Sequence, residues 1–169
     1  HWPETNAIML KNRRIGLSQS GVIQAFAKHG KREMFNWCDK AYEHVQRLDA
    51  EYSDWLCVPR SVRMTSIKPS GTVSLLNGST PGIHFPESEY YIRRIRFSNS
   101  SKLLPFLIAA GYKTEPDEYS PNTTCVEFPV HEPYYVKSKK DVSMWEQLEI
   151  AAQYQHYWAD NSVSITVTF

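Results

Sequence analysis

No sign of charge prevails in this chain. Lysine and arginine number 19 and aspartate and glutamate 18, a formal net charge of +1, so no long-range field draws it to nucleic acid or to an anionic membrane. Any anion held here is held by local geometry. Long apolar runs are lacking too: none approaches the roughly 18 to 20 residues that cross a bilayer, and no basic-then-apolar leader precedes a cleavage site. The chain therefore reads as soluble and cytoplasmic, with neither membrane nor nucleic acid among its partners. Cysteine is scarce. Cys38, Cys57 and Cys125 are odd in number and widely spaced, unlike the paired framework of a small secreted domain or the close pairs of a zinc site. The six histidines show no H-x-H or i,i+4 pairing, so no metal is expected. A Walker G-x-x-x-x-G-K-S/T, internal repeats and low-complexity tracts are also missing. Three N-x-S/T sequons, at Asn77, Asn99 and Asn122, would matter only in a secreted protein.

What is present alternates between helical and strand-like periods over 169 residues, enough for a single domain, 1–169, with its own core. The run 18–30 offers a serine cap, apolar Val22, Ile23, Phe26 and Ala27, and Gly30 as a stop. From 31 to about 56, Met34, Trp37, Cys38, Ala41, Val45, Leu48 and Trp55 recur every three or four residues, which predicts one long amphipathic helix near the N-terminus. Pro59 is expected to end it. A strand is expected over 62–69, a short helix over 70–78, a strand over 90–97 and a helix over 102–111 interrupted by Pro105. A buried strand over 122–130 follows, then a helix over 141–160 capped by Asp141, and a terminal strand, VSITVTF. The lysine-rich stretch 131–140 reads as a solvated loop. This order predicts the α/β class with some parallel pairing. A β-branched run closing the chain without a polar tail reads as a piece of something longer, and its bare strand edges predict self-association.

The stretch SIKPSGTVSLLNGSTPGIHFP, 66–86, carries the chemistry. Pro69 closes an extended run and Ser70-Gly71-Thr72 opens a helical one, where unpaired backbone amides and the dipole favour an anion. Gly71 lets a ligand approach the backbone, and the Ser70 and Thr72 hydroxyls add donors. Phosphate would suit such a place. The same residues would also serve as a plain helix cap, and their spacing does not choose between the two. Arg93, Arg94 and Arg96, beside Tyr90, Tyr91 and Phe97, read as a sheet face with solvated or ion-paired arginines rather than a nucleic-acid surface.

The blocks NRRIGL (12–17), LCVPRSVRMTSIKPSGTVSLLNGSTPGIHF (56–85), YYIRRIRF (90–97), GYKTEPDEYSPNTTCVEFPV (111–130) and YWADNSVSITVTF (157–169) resemble consecutive blocks of the adenosylcobalamin-dependent (class II) ribonucleoside-triphosphate reductases. They stand in family order and cover nearly the whole chain. The resemblance implies the later part of a ten-stranded α/β barrel, built from two half-barrels around a finger loop. It implies reduction of a ribonucleotide 2'-hydroxyl by a thiyl radical, with adenosylcobalamin as the cofactor that supplies the radical. It also implies that Pro69, Ser70, Gly71, Thr72 and Val73 hold the substrate phosphates.

The family's radical cysteine lies in an N-x-C-x-E motif. Asn36-Trp37-Cys38-Asp39-Lys40 copies only N-x-C, and it falls downstream of where the motif belongs, so the role does not transfer to Cys38. Cys57 and Cys125 match no redox position either. The effector region and the reducing tail of the family are not expected among these residues. The expectation is a fragment of the catalytic barrel, inactive alone, whose partners are a nucleotide substrate, the rest of the reductase, or a second copy through exposed strands. Its rival is a stand-alone α/β protein that holds an anion or a nucleotide without catalysis.

Overall fold

The computed structural model describes residues 2–168, with the backbone alone at Leu76. His1 and Phe169, the last residue of the expected terminal strand, lie outside the described residues. The chain separates into two compact units, one comprising the residues up to Glu87 and from Pro133 onward, the other Ser88–Glu132.

In the first unit, α1 (Pro3–Asn12) was not foreshadowed by any apolar period. It buries none of its residues and stops where Arg13 turns left-handed at φ 40°. Helix α2 (Val22–His29) buries Val22 and Ile23, but its cap is Gly21 at φ 74° rather than a serine, because the chain bends there too sharply for a side-chain cap. Helix α3 (Lys31–Trp55) buries Phe35, Cys38 and Ser53 and leans Met34, Ala41 and Tyr42 on the core. It ends without help from Pro59. Cys57 takes the left-handed conformation, φ 52°, and the Val58 amide bonds to the Ser53 carbonyl at 3.0 Å, so the backbone closes the helix at Trp55, four residues before the proline.

Two further caps correct the sequence reading. Helix α6 (Met144–Tyr157) is capped by Ser143, whose hydroxyl accepts from the Glu146 amide, and not by Asp141. Asp141 instead closes a capping box with Ser138 around the 3-10 turn Lys139–Asp141. The stretch expected as a solvated loop is thereby ordered, with Lys137 paired to Glu146 at 2.6 Å and Lys139 paired to Glu87. The core these helices enclose comprises Val22, Phe35, Cys38, Ile67, Ile83, Ile150, Tyr154, Trp158 and Ala159. Tyr154 is fully buried and donates its hydroxyl to the Gln19 side chain at 3.1 Å, which satisfies a polar atom that burial would otherwise penalise.

The strand expected over 62–69 is extended but forms no regular ladder. One parallel bridge, Leu17 to Thr65, stands for the expected parallel pairing among the described residues. Around it, the Ile15 and Leu17 amides donate to the Arg63 and Met64 carbonyls, both at 2.9 Å. On the other side, the Asn161 amide donates to the Thr65 carbonyl at 3.1 Å and the Ser164 amide to the Ile67 carbonyl at 3.0 Å. The terminal run likewise forms no ladder among the described residues. The Thr166 and Thr168 amides donate to His84 Nε2 at 3.1 Å and Gln147 Oε1 at 3.3 Å.

The second unit is a three-stranded antiparallel sheet in the order β1-β3-β2, formed by β1 (Tyr90–Ser98), β2 (Thr114–Pro116) and β3 (Thr123–His131). Strand β1 alternates exposed and half-buried residues along its length, as period-2 patterning requires. Ile95 stands opposite the buried Val126 on β3. Helix α5 (Leu104–Ala109) carries Pro105 in its first turn, where no backbone donor is needed, so the proline starts this helix instead of interrupting it. Among the described residues no helix is long and apolar enough to cross a membrane. The class is mixed α/β.

Candidate functional site

The segment 64–67 is buried, and the chain surfaces at Lys68 and Pro69 before turning through Ser70, Gly71 and Thr72. Helix α4 follows and is only one turn, Val73–Leu76. Its first bond back is from the Ser74 amide to the Ser70 carbonyl at 3.0 Å, reinforced by the Ser74 hydroxyl on the same carbonyl. Ser74 is fully buried and anchors the turn from below, while Val73 is exposed above it. A Cβ placed on Gly71 would meet nothing within 4 Å, so the space beside this glycine is open. At Gly82, φ 54°, the added carbon would stand 2.9 Å from the Lys68 carbonyl oxygen. The second glycine loop thus closes against the backbone of the first.

A stretch expected only to cap a helix, 18–24, holds both ends of this loop. The Ser18 hydroxyl accepts from the Lys68 amide at 3.1 Å, and the Ser20 and Ser70 hydroxyls are 2.9 Å apart. At the far end the Gly21 amide donates to the Thr80 carbonyl at 2.8 Å. Gln24 completes the grip, accepting from the Thr80 amide at 3.2 Å and donating to the Gly78 carbonyl at 3.0 Å. The only local signal was a run of small polar residues, LSQSG, ahead of an amphipathic helix. Those residues look like caps in isolation.

Asp160 sets the approach to the loop. Its carboxylate accepts from the Tyr42 hydroxyl at 2.5 Å and from the Met64 and Thr65 amides at 2.9 and 3.4 Å. Burial pushes this carboxyl up, but the Tyr42 hydroxyl and the two amides outweigh it and hold the group below the usual carboxylate range. The same bond, acting first, raises the Tyr42 phenol.

From Pro69 to Ile83 the loop carries hydroxyls and amides but no acid or base. Lys68, just before it, turns its ammonium to the Ser162 carbonyl at 3.3 Å. His84, just after it, lies 3.1 Å from the Pro81 carbonyl through Nδ1 and accepts from Thr166 through Nε2, which places its hydrogen on Nδ1. Such a surface can hold and orient an anion by hydrogen bonds; it has no group to move a proton.

Other candidates stand elsewhere. Cys38 is 1 % exposed within α3, and burial pushes its thiol above the ordinary range. Cys57 is exposed at the end of α3, and Cys125 is buried on β3. Among the described residues no group of three or more His, Cys, Asp or Glu is placed to hold a metal ion. On β1, Arg94 pairs with Glu115 and Arg96 with Asp117, the latter at 2.8 Å, which is the ion-paired sheet face. The Arg96 guanidinium holds the Asp117 carboxyl below the usual range.

No family profile matches the chain. Individual relatives match over its whole length. A probable adenosylcobalamin-dependent ribonucleoside-triphosphate reductase of Dictyostelium discoideum is 49% identical over 99% of the chain and 22% of its own length. The adenosylcobalamin-dependent ribonucleoside-triphosphate reductase of Euglena gracilis is 49% identical over 100% of the chain and 23% of its own length, and that of Levilactobacillus brevis 44% over 99% and 26%. The crystal structure of a B-12 dependent (class II) ribonucleotide reductase superposes with a TM-score of 0.84 at 37% identity, covering 99% of this chain and 28% of that one. The chain spans about a quarter of the length of the relatives it matches. It is therefore a homologue, along its whole length, of about one quarter of an adenosylcobalamin-dependent (class II) ribonucleoside-triphosphate reductase.

Proposed function

We propose that the chain is part of the catalytic domain of a ribonucleotide reductase, the enzyme that converts ribonucleotides to deoxyribonucleotides by a thiyl radical. It keeps the substrate-phosphate loop Pro69-Ser70-Gly71-Thr72-Val73 and lacks the radical cysteine, so the chain alone is inactive. The observation that carries this reading is the 49% identity to named reductases over the full length of the chain. The loop's geometry agrees with it, being rich in hydroxyls and amides, open at Gly71 and held at both ends. Cys38, sealed in the core of α3, is a packing residue and supports the absence of the radical cysteine from this portion. On this reading both units belong to one catalytic domain in the cytoplasm. The segments 15–17, 63–67 and 161–164 are then strands of the ten-stranded barrel, completed by the rest of the reductase.

Adenosylcobalamin supplies the radical when bound to the parent enzyme. A groove lined by Tyr90, Ile92, Pro129 and His131 on the second unit measures about 310 Å³, which sits at the small end of ordinary ligand pockets and does not fit a corrin. The cofactor is assigned to the parent enzyme, and this groove plays no part in that assignment.

The loop's own work is to bind and orient phosphates. Charge-assisted hydrogen bonds contribute about 1.5 to 3 kcal/mol each before ordering costs, against roughly 4 kcal/mol for millimolar affinity. Titration with ATP and CTP, followed by amide NMR, should shift the Ser70 to Val73 amides at millimolar nucleotide. Gly71→Val should abolish those shifts while leaving the melting temperature unchanged, because its side chain enters open space. Wild-type amides that stay in place at ten times the nucleotide concentration would overturn the phosphate reading.

Helix α1 supports a docking role toward the rest of the reductase or, in its absence, a second copy. Its Ile8, Met9 and Leu10 are 60%, 54% and 61% exposed. Sedimentation velocity of the chain should show mass rising with concentration, and Ile8→Lys/Leu10→Lys should suppress the rise. A monomer at all concentrations would remove the self-association part of the proposal.

A further inference from the structure

We propose that Ser20, in the turn ahead of α2, is a positioning residue for the loop: it fixes the Ser70 hydroxyl with its proton turned outward, toward an incoming phosphate oxygen. The ligand named here rests on the phosphate-loop reading, whereas the placement of the Ser70 hydroxyl does not.

The two hydroxyl oxygens are 2.9 Å apart, so one donates to the other. A serine hydroxyl has one proton and two lone pairs. If Ser70 donates to Ser20, its proton is spent and an anion beside Ser70 meets only the lone pairs of that hydroxyl. If Ser20 donates to Ser70, the Ser70 proton is available, and a chain from Ser20 through Ser70 to a phosphate oxygen polarises each link in turn. An anion placed at Ser70 selects the second arrangement, since only that one leaves the Ser70 proton free to donate. The rest of Ser70 is already committed, because its carbonyl takes both the amide and the hydroxyl of Ser74.

Ser20 is held where it can do this. Gly21, beside it, bends the chain at φ 74° and ties its amide to the Thr80 carbonyl at 2.8 Å, and Ser18 on the other side takes the Lys68 amide at 3.1 Å. The hydroxyl is therefore presented by backbone anchored on both flanks. Ser20 itself is exposed, so deleting its hydroxyl leaves the core untouched.

The test is calorimetric titration of inorganic triphosphate into the full chain as wild type, Ser20→Ala, Ser20→Thr, Ser70→Ala and the Ser20→Ala/Ser70→Ala double variant. The same proteins are examined ligand-free by NMR for the Ser70 Hα–Hβ couplings. Ser20→Ala should weaken triphosphate binding about three- to tenfold with an unchanged melting temperature, and Ser20→Thr should restore it to within about twofold. The double variant should bind no more weakly than Ser70→Ala, since the two act through one proton. In the free chain, Ser20→Ala should average the Ser70 couplings between rotamers and Ser20→Thr should restore them. Wild-type affinity in Ser20→Ala, or losses that add in the double variant, would overturn the proposal. If wild type binds no triphosphate, the phosphate-loop reading fails. The couplings then decide alone: Ser20-dependent couplings sustain the positioning role, and unchanged ones end it.

Discussion

Replacing Asp160 with alanine is expected to lower the free energy of unfolding by about 2 to 4 kcal/mol. One carboxylate satisfies the Tyr42 hydroxyl and the Met64 and Thr65 amides, and Met64 and Thr65 are 7% and 0% exposed. Alanine leaves buried donors with neither protein nor water to accept from them, which costs more than the bonds themselves contribute. Asp160→Asn keeps one accepting oxygen and should lose roughly half as much. The pH dependence follows the direction of the shift. The folded carboxyl titrates below its ordinary value near 3.9, so its contribution is complete above that pH and is lost as pH falls through the lowered value. Urea unfolding at pH 6 and pH 3 should therefore show the gap between wild type and Asp160→Asn narrowing in acid. A gap that widens in acid would mean that the carboxylate is not what those amides depend on.

Gly82→Ala is expected to cost about 2 to 4 kcal/mol for two independent reasons. At φ 54° the backbone is left-handed, which penalises any residue with a Cβ by roughly 1 to 2 kcal/mol. The new carbon would also stand 2.9 Å from the Lys68 carbonyl oxygen, a backbone atom that cannot swing aside as a side chain can. Relief requires moving Lys68, whose amide is held by Ser18, so the distortion runs into Pro69 and Ser70. Gly71→Ala is the control, since the added carbon meets nothing within 4 Å and should change stability by no more than about 0.5 kcal/mol. Urea midpoints and the amide shifts of residues 68–73 check both. Equal effects at the two glycines would show that neither the left-handed backbone nor the contact with Lys68 sets the cost at Gly82.

The helices that pack on the core were legible because burial imposes a period. Val22, Ile23 and Cys38 lie on buried faces of their helices, as apolar residues at three- and four-residue intervals announce, whereas Trp37 and Trp55 of the same period are 41% and 70% exposed and the buried Phe35 fell outside it. Strand β1 was legible for the same reason with a period of two. Helix ends were less so, because several residues near each end could cap it. Asp141 and Ser143 are both good caps, and only the competing capping box at Ser138 decides between them. The segment through Thr65 reads as a strand from its apolar content, yet its neighbours supply only a few bonds on each side. At the site, KPSGT stands out locally, and the resemblance carried by the surrounding blocks gave it a ligand. The grip of Ser18, Ser20 and Gln24 could not be read, since those bonds join residues 50, 50 and 56 positions apart. Nothing near a serine in the sequence says which distant backbone it will meet.

The extended segment at 62–67 has a bearing on how fast the chain reaches its native state. Its bonds to the other end of the chain join residues such as Thr65 and Trp158, 93 positions apart, and Arg63 and Asp160, 97 apart. Closing a loop of that size gives up most of its entropy before any contact repays it, and sequence-distant contacts of this kind are what slow folding. During synthesis the segment emerges with one neighbour, 12–17, already made and the other still to come. One side of its backbone waits unpaired until about a hundred more residues follow, and for that interval it is a strand edge open to any other chain.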